Sequence, residues 1–245
     1  MKRLDNGDDG RRWEAVGRLD IGGTGFCTGA LISEDVVLTA AHCLYDNDTG
    51  KAVDISKIEF LAGWRNGRAS AYRRVRKSLI HPDYDFNNDV TTDRVRNDIA
   101  LLELHHPITN ARVVPFPTDN QPRKNDQIGL VSYARDRAEA PSLQEICTVL
   151  GRDEGALVMS CDVNFGASGS PVFSFKDGAP HIVSVVSAMA EVDGQQVALG
   201  AQLTKALPMM REALQPANRT VGETRLFSSG KNRDTGAKFA SPNSE

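Results

Sequence analysis

Three short stretches of the chain carry side chains that together could break an acyl bond. Gly166-Ala167-Ser168-Gly169-Ser170-Pro171 offers a hydroxyl in a glycine-rich turn, Leu38-Thr39-Ala40-Ala41-His42-Cys43 an imidazole, and Asp98-Ile99-Ala100-Leu101-Leu102 a carboxylate heading an apolar run. A serine hydroxyl is a weak nucleophile near neutral pH and needs a base to take its proton as it attacks a carbonyl carbon. His42 is the candidate base, since a neutral imidazole accepts that proton and can return it to the leaving amine. Asp98 would accept a bond from the other ring nitrogen, fixing the tautomer and stabilising the imidazolium. Charge developing on the substrate carbonyl oxygen needs donors already aimed at it, and the backbone N–H groups of Gly166 and Ser168 are the candidates. Taken singly, each stretch reads as a tight turn or a core histidine; taken jointly, they point to nucleophilic catalysis.

The elements that must position these groups are strands. Short β-rich runs punctuated by Gly, Asn, Asp and Pro fall at 30–33, 36–40, 58–64, 72–80, 99–104, 127–133, 145–150, 157–163, 171–175, 182–187 and 197–203. With so little helix between them they predict antiparallel barrels or sandwiches, not a parallel α/β sheet. The proline-rich polar segment 114–126 is the best linker. It leaves His42 and Asp98 in the first half and Ser168 in the second, so a site built from all three must lie in the cleft between two units. Ala206, Leu207, Met210 and Leu214 recur at helical spacing, with Thr204 as a cap, and predict a terminal helix packed on the second unit. The segment 216–245 carries few apolar residues and no periodicity, so it is expected to be a disordered tail. The Asn218-Arg219-Thr220 sequon within it carries little weight.

At 245 residues, 40% hydrophobic and 25% charged, with a formal net charge of -3, the chain can bury its own core and gives no reason to seek nucleic acid or anionic lipid. No apolar run is long enough to cross a bilayer as a helix. His105-His106 lacks further ligands nearby, and Asp46, Asp48, Asp83, Asp85 and Asp89 lie outside any EF-hand pattern, so no metal and no cofactor are expected. Four cysteines, Cys27, Cys43, Cys147 and Cys161, permit three pairings, and their spacing suggests two local bridges. A bridge closing a loop of that size contributes on the order of 3 kcal/mol. Disulfides imply export, to the periplasm or outside the cell, with the leader absent from a mature or expressed form.

The three stretches, with Cys27-Thr28-Gly29-Ala30-Leu31-Ile32 ahead of them, resemble the histidine, aspartate and serine regions of trypsin-like serine proteases of the chymotrypsin fold. The bacterial branch that includes glutamyl endopeptidases is the nearer likeness, and the resemblance runs over roughly 13–214. It implies an all-β chain of two antiparallel six-stranded β-barrels, 13–115 carrying His42 and Asp98 and 126–203 carrying Ser168. The active site would lie between them, followed by a C-terminal helix over 204–215. It further implies a secreted endopeptidase acting on protein or peptide substrates through an acyl-enzyme, expected as a monomer. A catalytically silent binding protein of the same fold is the rival reading.

By the same resemblance the backbone of Ser187 would pair with an extended substrate, and Asp162 would either stand at the base of a pocket for Lys or Arg or serve a structural role, accepting local backbone bonds. Met189 in the pocket wall would instead favour small residues, and the two clues conflict. Val185 and Val186 stand where a histidine would pair with a glutamate side chain, which argues against glutamyl specificity. The animal enzymes carry an acidic residue where this chain has Ala167, so activation by an ion pair there is excluded and other contacts must hold the turn.

Overall fold

The computed structural model describes residues 1–214 apart from 24, 88–90, 121, 176–177 and 193. The expected tail 216–245, its sequon and Asp89 lie outside the described residues. The chain opens with a two-residue strand, β1 (Lys2–Arg3), and a single helical turn, α1 (Gly7–Gly10), capped by the Asn6 side chain on Asp9 N. Strands β2 (Val16–Ile21), β3 (Phe26–Ser33), β4 (Val36–Thr39), β5 (Ile58–Ala62), β6 (Ala71–Ile80) and β7 (Ala100–Leu104) close a first barrel in the order β2-β3-β4-β7-β6-β5. A short helix, α2 (Thr92–Arg96), precedes β7.

Strands β8 (Gln127–Ser132), β9 (Ser142–Asp153), β10 (Ala156–Met159), β11 (Pro171–Ser174), β12 (His181–Val192) and β13 (Gln195–Gly200) form the second ring. It closes because β8 pairs with both β9 and β11. All of these pairings are antiparallel, as an all-β chain with short connections requires. Strand β1 hangs on β9 through Lys2↔Leu143 and Arg3↔Ser142, so the first residues join the second barrel rather than standing outside the fold. The boundary expected at 13 therefore leaves out a packed segment, in which Leu4 is fully buried.

Strand β2 is absent from the runs predicted above, and its packing explains why. Its inward positions are Gly17, Leu19 and Ile21, and a Cβ on Gly17 would meet the Phe60 ring at 2.3 Å. The aromatic ring fills the place of the missing side chain, so the period-2 signal is broken where the strand is most tightly packed. The β9–β10 turn is made by Glu154 (φ 44°) and Gly155 (φ 101°), a two-residue connection of the primed type that matches strand twist.

The 114–126 segment is no free linker. Phe116 is buried, its N–H donates to Leu31 O, and Ile182 exchanges bonds with Pro117 O and Asp119 N. Trp13, Phe116 and Phe173 pack together here, with ring centroids 5.0 Å apart for Trp13–Phe173 and 4.8 Å for Phe116–Phe173, so one apolar core runs from the first barrel into the second. A second cluster, with Ile128, Leu130, Val172 and Val183, fills the second barrel. The final helix, α3 (Leu203–Leu214), begins one residue before the expected cap, and Thr204 lies exposed within it. It packs against β7 as well as β12, and Arg211 reaches Ile32 O at 3.4 Å, so it braces both barrels rather than the second alone.

Candidate active site

His42 sits in a 3-10 turn (Ala41–Leu44) at the exit of β4, and Asp98 in the short connection between α2 and β7. Because β4 and β7 are paired, Thr39 opposite Ala100, the two connections emerge side by side. The Asp98 side chain is 3% exposed and collects three donors: His42 N on Oδ1 at 2.9 Å, and His42 Nδ1 and Ser187 Oγ on Oδ2, each at 2.6 Å. A carboxylate only accepts, so this geometry places the imidazole proton on Nδ1 and leaves Nε2 with its lone pair facing outward. Burial, then the Asp98 charge, raises the nearby Tyr84 phenol far above its ordinary value, and that side chain stays protonated beside the carboxylate. Helix α2, capped by the Thr91 side chain on Arg94 N, leads the chain into Asp98; it was not predicted, although Thr91 followed by Asp93 in the first turn is a usable signal.

A cavity of about 540 Å³ opens over this pair, and His42, Gly166 and Ser168 all line it. The structure thus brings His42, Gly166 and Ser168 to one cleft, with Asp98 buried behind the imidazole in direct contact, while His42 and Ser168 share the cavity without a hydrogen bond between them among the described residues. Its far walls are Phe26 and Phe165, the Arg135 guanidinium 5.2 Å from the Phe165 ring, and Asp46. The Asp46 carboxyl is held below its ordinary value by the Thr49 hydroxyl and N–H, so the wall keeps a fixed negative charge.

The Gly166–Ser170 turn is set by close approaches and by its carbonyls. Gly166 (φ 94°) and Gly169 (φ 75°) both hold left-handed backbone, and a Cβ on Gly169 would lie 2.4 Å from Thr28 O. Phe165 O accepts from Arg135 N at 2.7 Å and Ala167 O from Ser170 N at 3.0 Å. A trans peptide sets its N–H opposite its carbonyl. The N–H groups of Gly166 and Ser168 are therefore turned away from those two partners, and neither meets a protein acceptor among the described residues.

Cys27 is bonded to Cys43 and Cys147 to Cys161, with S–S distances of 2.06 and 2.00 Å. The first bridge joins β3 to the His42 turn, and the second ties β9 to the segment leading towards Ser168. Asp162 and Met189 are both exposed and line a separate pocket of about 150 Å³ with Val163 and Val197. The Asp162 N–H donates to Gln144 Oε1 at 2.8 Å. Beyond Val185, β12 keeps β13 on one edge while β11 no longer follows on the other, so the backbone from Ser187 to Met189 is open on one side. Sequence reasoning assigned Ser187 a backbone role only; its hydroxyl on Asp98 could not be read before β12 and β7 were placed together.

A family model described as "Trypsin" matches residues 6–206, and the chain belongs to the trypsin family. It is 33% identical over 115 residues to clotting factor C of Tachypleus tridentatus, covering 43% of this chain and 11% of that protein. It is 29% identical over 149 residues to mannan-binding lectin serine protease 1 of Homo sapiens, covering 54% and 20% respectively. With trypsin 5G1 of Aedes aegypti it shares 37% identity over 89 residues, 36% of this chain and 29% of the relative. The chain thus spans less than a third of the length of these curated relatives. A solved structure titled as a Glu endopeptidase in complex with MPD superposes with a TM-score of 0.71 at 18% identity, covering 86% of this chain and 94% of that one, and shares its fold.

Proposed function

We propose that this chain is a secreted serine endopeptidase that cleaves protein or peptide substrates through an acyl-enzyme on Ser168. The observation that carries the reading is the Asp98-bound imidazole of His42 on the same cavity as Ser168 and the Gly166 turn. His42 takes the Ser168 proton and returns it to the leaving amine, Asp98 fixes the tautomer, and the N–H groups of Gly166 and Ser168 receive the oxyanion. The open edge from Ser187 to Met189 suits an extended peptide added as a strand, its side chain before the cleaved bond entering the Asp162–Met189 pocket. The two disulfides favour an oxidising compartment. The silent binding-protein reading would need the Gly166 N–H turned from the cleft, and the Phe165 carbonyl bond to Arg135 N argues against it.

The test is a proteome-derived peptide library incubated with the wild type and with Ser168→Ala. The reading predicts internal cleavages sharing a residue preference before the bond, all lost in the variant. An inert wild type, or a variant with the same cleavages, overturns it.

A further inference from the structure

Ala167, between the two oxyanion donors, is apolar and buried, so its side chain offers nothing polar to hold the turn. Gly166 has no side chain and a wide choice of backbone conformations. Local backbone bonds hold Ala167, whose carbonyl accepts from Ser170 N and whose N–H donates to Asn164 O, while the carbonyls on either side, those of Gly166 and Ser168, are both taken by one residue of the other barrel. Gly166 O accepts from Thr28 Oγ1 at 3.0 Å, and Ser168 O accepts from Thr28 N at 2.9 Å.

Thr28 is fully buried on β3, next to Cys27. Its hydroxyl accepts from Tyr133 N at 3.1 Å and has a single proton to give; Gly166 O at 3.0 Å is the nearer acceptor, with Tyr133 O at 3.4 Å. One hydroxyl therefore ties the exit of β8 to the peptide that follows Gly166. Removing it leaves a buried N–H and a buried C=O without partners, each costly in the interior. The Gly166–Ala167 peptide could then turn to find another donor, carrying the oxyanion N–H groups on either side of it out of line.

Building on the peptidase reading, we propose that Thr28 is the positioning residue of the oxyanion turn, acting from the first barrel through its side-chain hydroxyl. It touches no substrate, and its effect belongs to the transition state alone, where the oxyanion exists.

The test compares Thr28→Val, which keeps the shape and loses the hydroxyl, with Thr28→Ser, which keeps the hydroxyl. Full loss of one oxyanion donor costs about 10²–10³-fold in kcat, so partial misalignment in Thr28→Val should lower kcat by at least about 10-fold with KM within about twofold. Affinity for a peptide boronate, which fills the oxyanion position, should fall by the same factor as kcat/KM, and Thr28→Ser should recover both. If Thr28→Val does not fold, Thr28→Ala is measured in its place. An active wild type whose folded Val or Ala variant keeps its kcat and boronate affinity overturns this inference alone. So does a loss of kcat with unchanged boronate affinity, or one that Thr28→Ser shares. A wild type with no turnover overturns the peptidase reading and this inference with it.

Discussion

Replacing Asp98 by asparagine changes one atom at the centre of the site, and the structure fixes what that atom must do. Three donors converge on the carboxylate, two of them on Oδ2 at 2.6 Å. Asparagine has one acceptor oxygen and an NH₂ that only donates. If the oxygen stays with His42 N, the NH₂ faces both the Nδ1 proton and the Ser187 hydroxyl. The imidazole relieves that clash by moving its proton to Nε2, and Nε2 then cannot accept from Ser168. If the amide flips, the clash moves to His42 N, whose backbone position cannot adjust. The wrong tautomer in an equivalent arrangement costs about 10⁴-fold in kcat, or about 5 kcal/mol at roughly 1.4 kcal/mol per decade. The assay is steady-state hydrolysis of a substrate chosen from the library, at neutral pH, with the folded state of the variant checked by near-UV circular dichroism. KM should change little, since the substrate does not touch Asp98. A folded Asp98→Asn enzyme within about tenfold of wild-type kcat would refute the tautomer argument.

Two other perturbations probe stability. The Ser170 hydroxyl is fully buried and has no hydrogen-bond partner among the described residues, so Ser170→Ala should raise the thermal midpoint by relieving a desolvation cost of about 1–3 kcal/mol; an unchanged or lower midpoint counts against it. Burial holds the His81 imidazole below its ordinary value, with Arg96 acting the same way and Asp83 opposing, and its Nδ1 accepts from Asp83 N at 3.2 Å. The unfolded chain therefore takes up a proton that the folded one refuses, and stability should fall as pH drops below about 6.5, the unfolded value. His81→Asn, whose amide oxygen can take the same N–H, should flatten that slope in denaturant titrations between about pH 5 and 7; an unchanged slope would assign it to other groups.

The strands of both barrels were legible as short β-rich runs bounded by Gly, Asn, Asp and Pro, β5 and β6 among them, and the six-stranded closure followed from the family resemblance. What escaped was structure made by tertiary packing. β2 hides behind Gly17 because the Phe60 ring supplies the missing bulk, β1 is too short for any period, and α2 is a single capped turn. In the site, His42, Asp98, Gly166 and Ser168 stand in stretches whose local sequence carries the signal. Thr28 and Ser187 lie on strands where a hydroxyl looks like any other polar residue, and only the docking of one barrel on the other gives each its partner. Asp162 shows the limit of counting back from Ser168: position in the chain left a pocket base and a structural role both open, and it is the fold that sets the residue, exposed, beside Met189 on one small pocket.

In the proposed reaction His42 activates the Ser168 hydroxyl, a step that covalent labelling reports on without any choice of substrate. Wild type and Ser168→Ala are treated with a serine-directed peptidyl phosphonate, and the adduct is located by peptide mass spectrometry. One adduct is expected, on Ser168, forming in step with loss of turnover and slowed with His42→Ala. An unlabelled wild type, or an adduct that forms equally in Ser168→Ala, would contradict it.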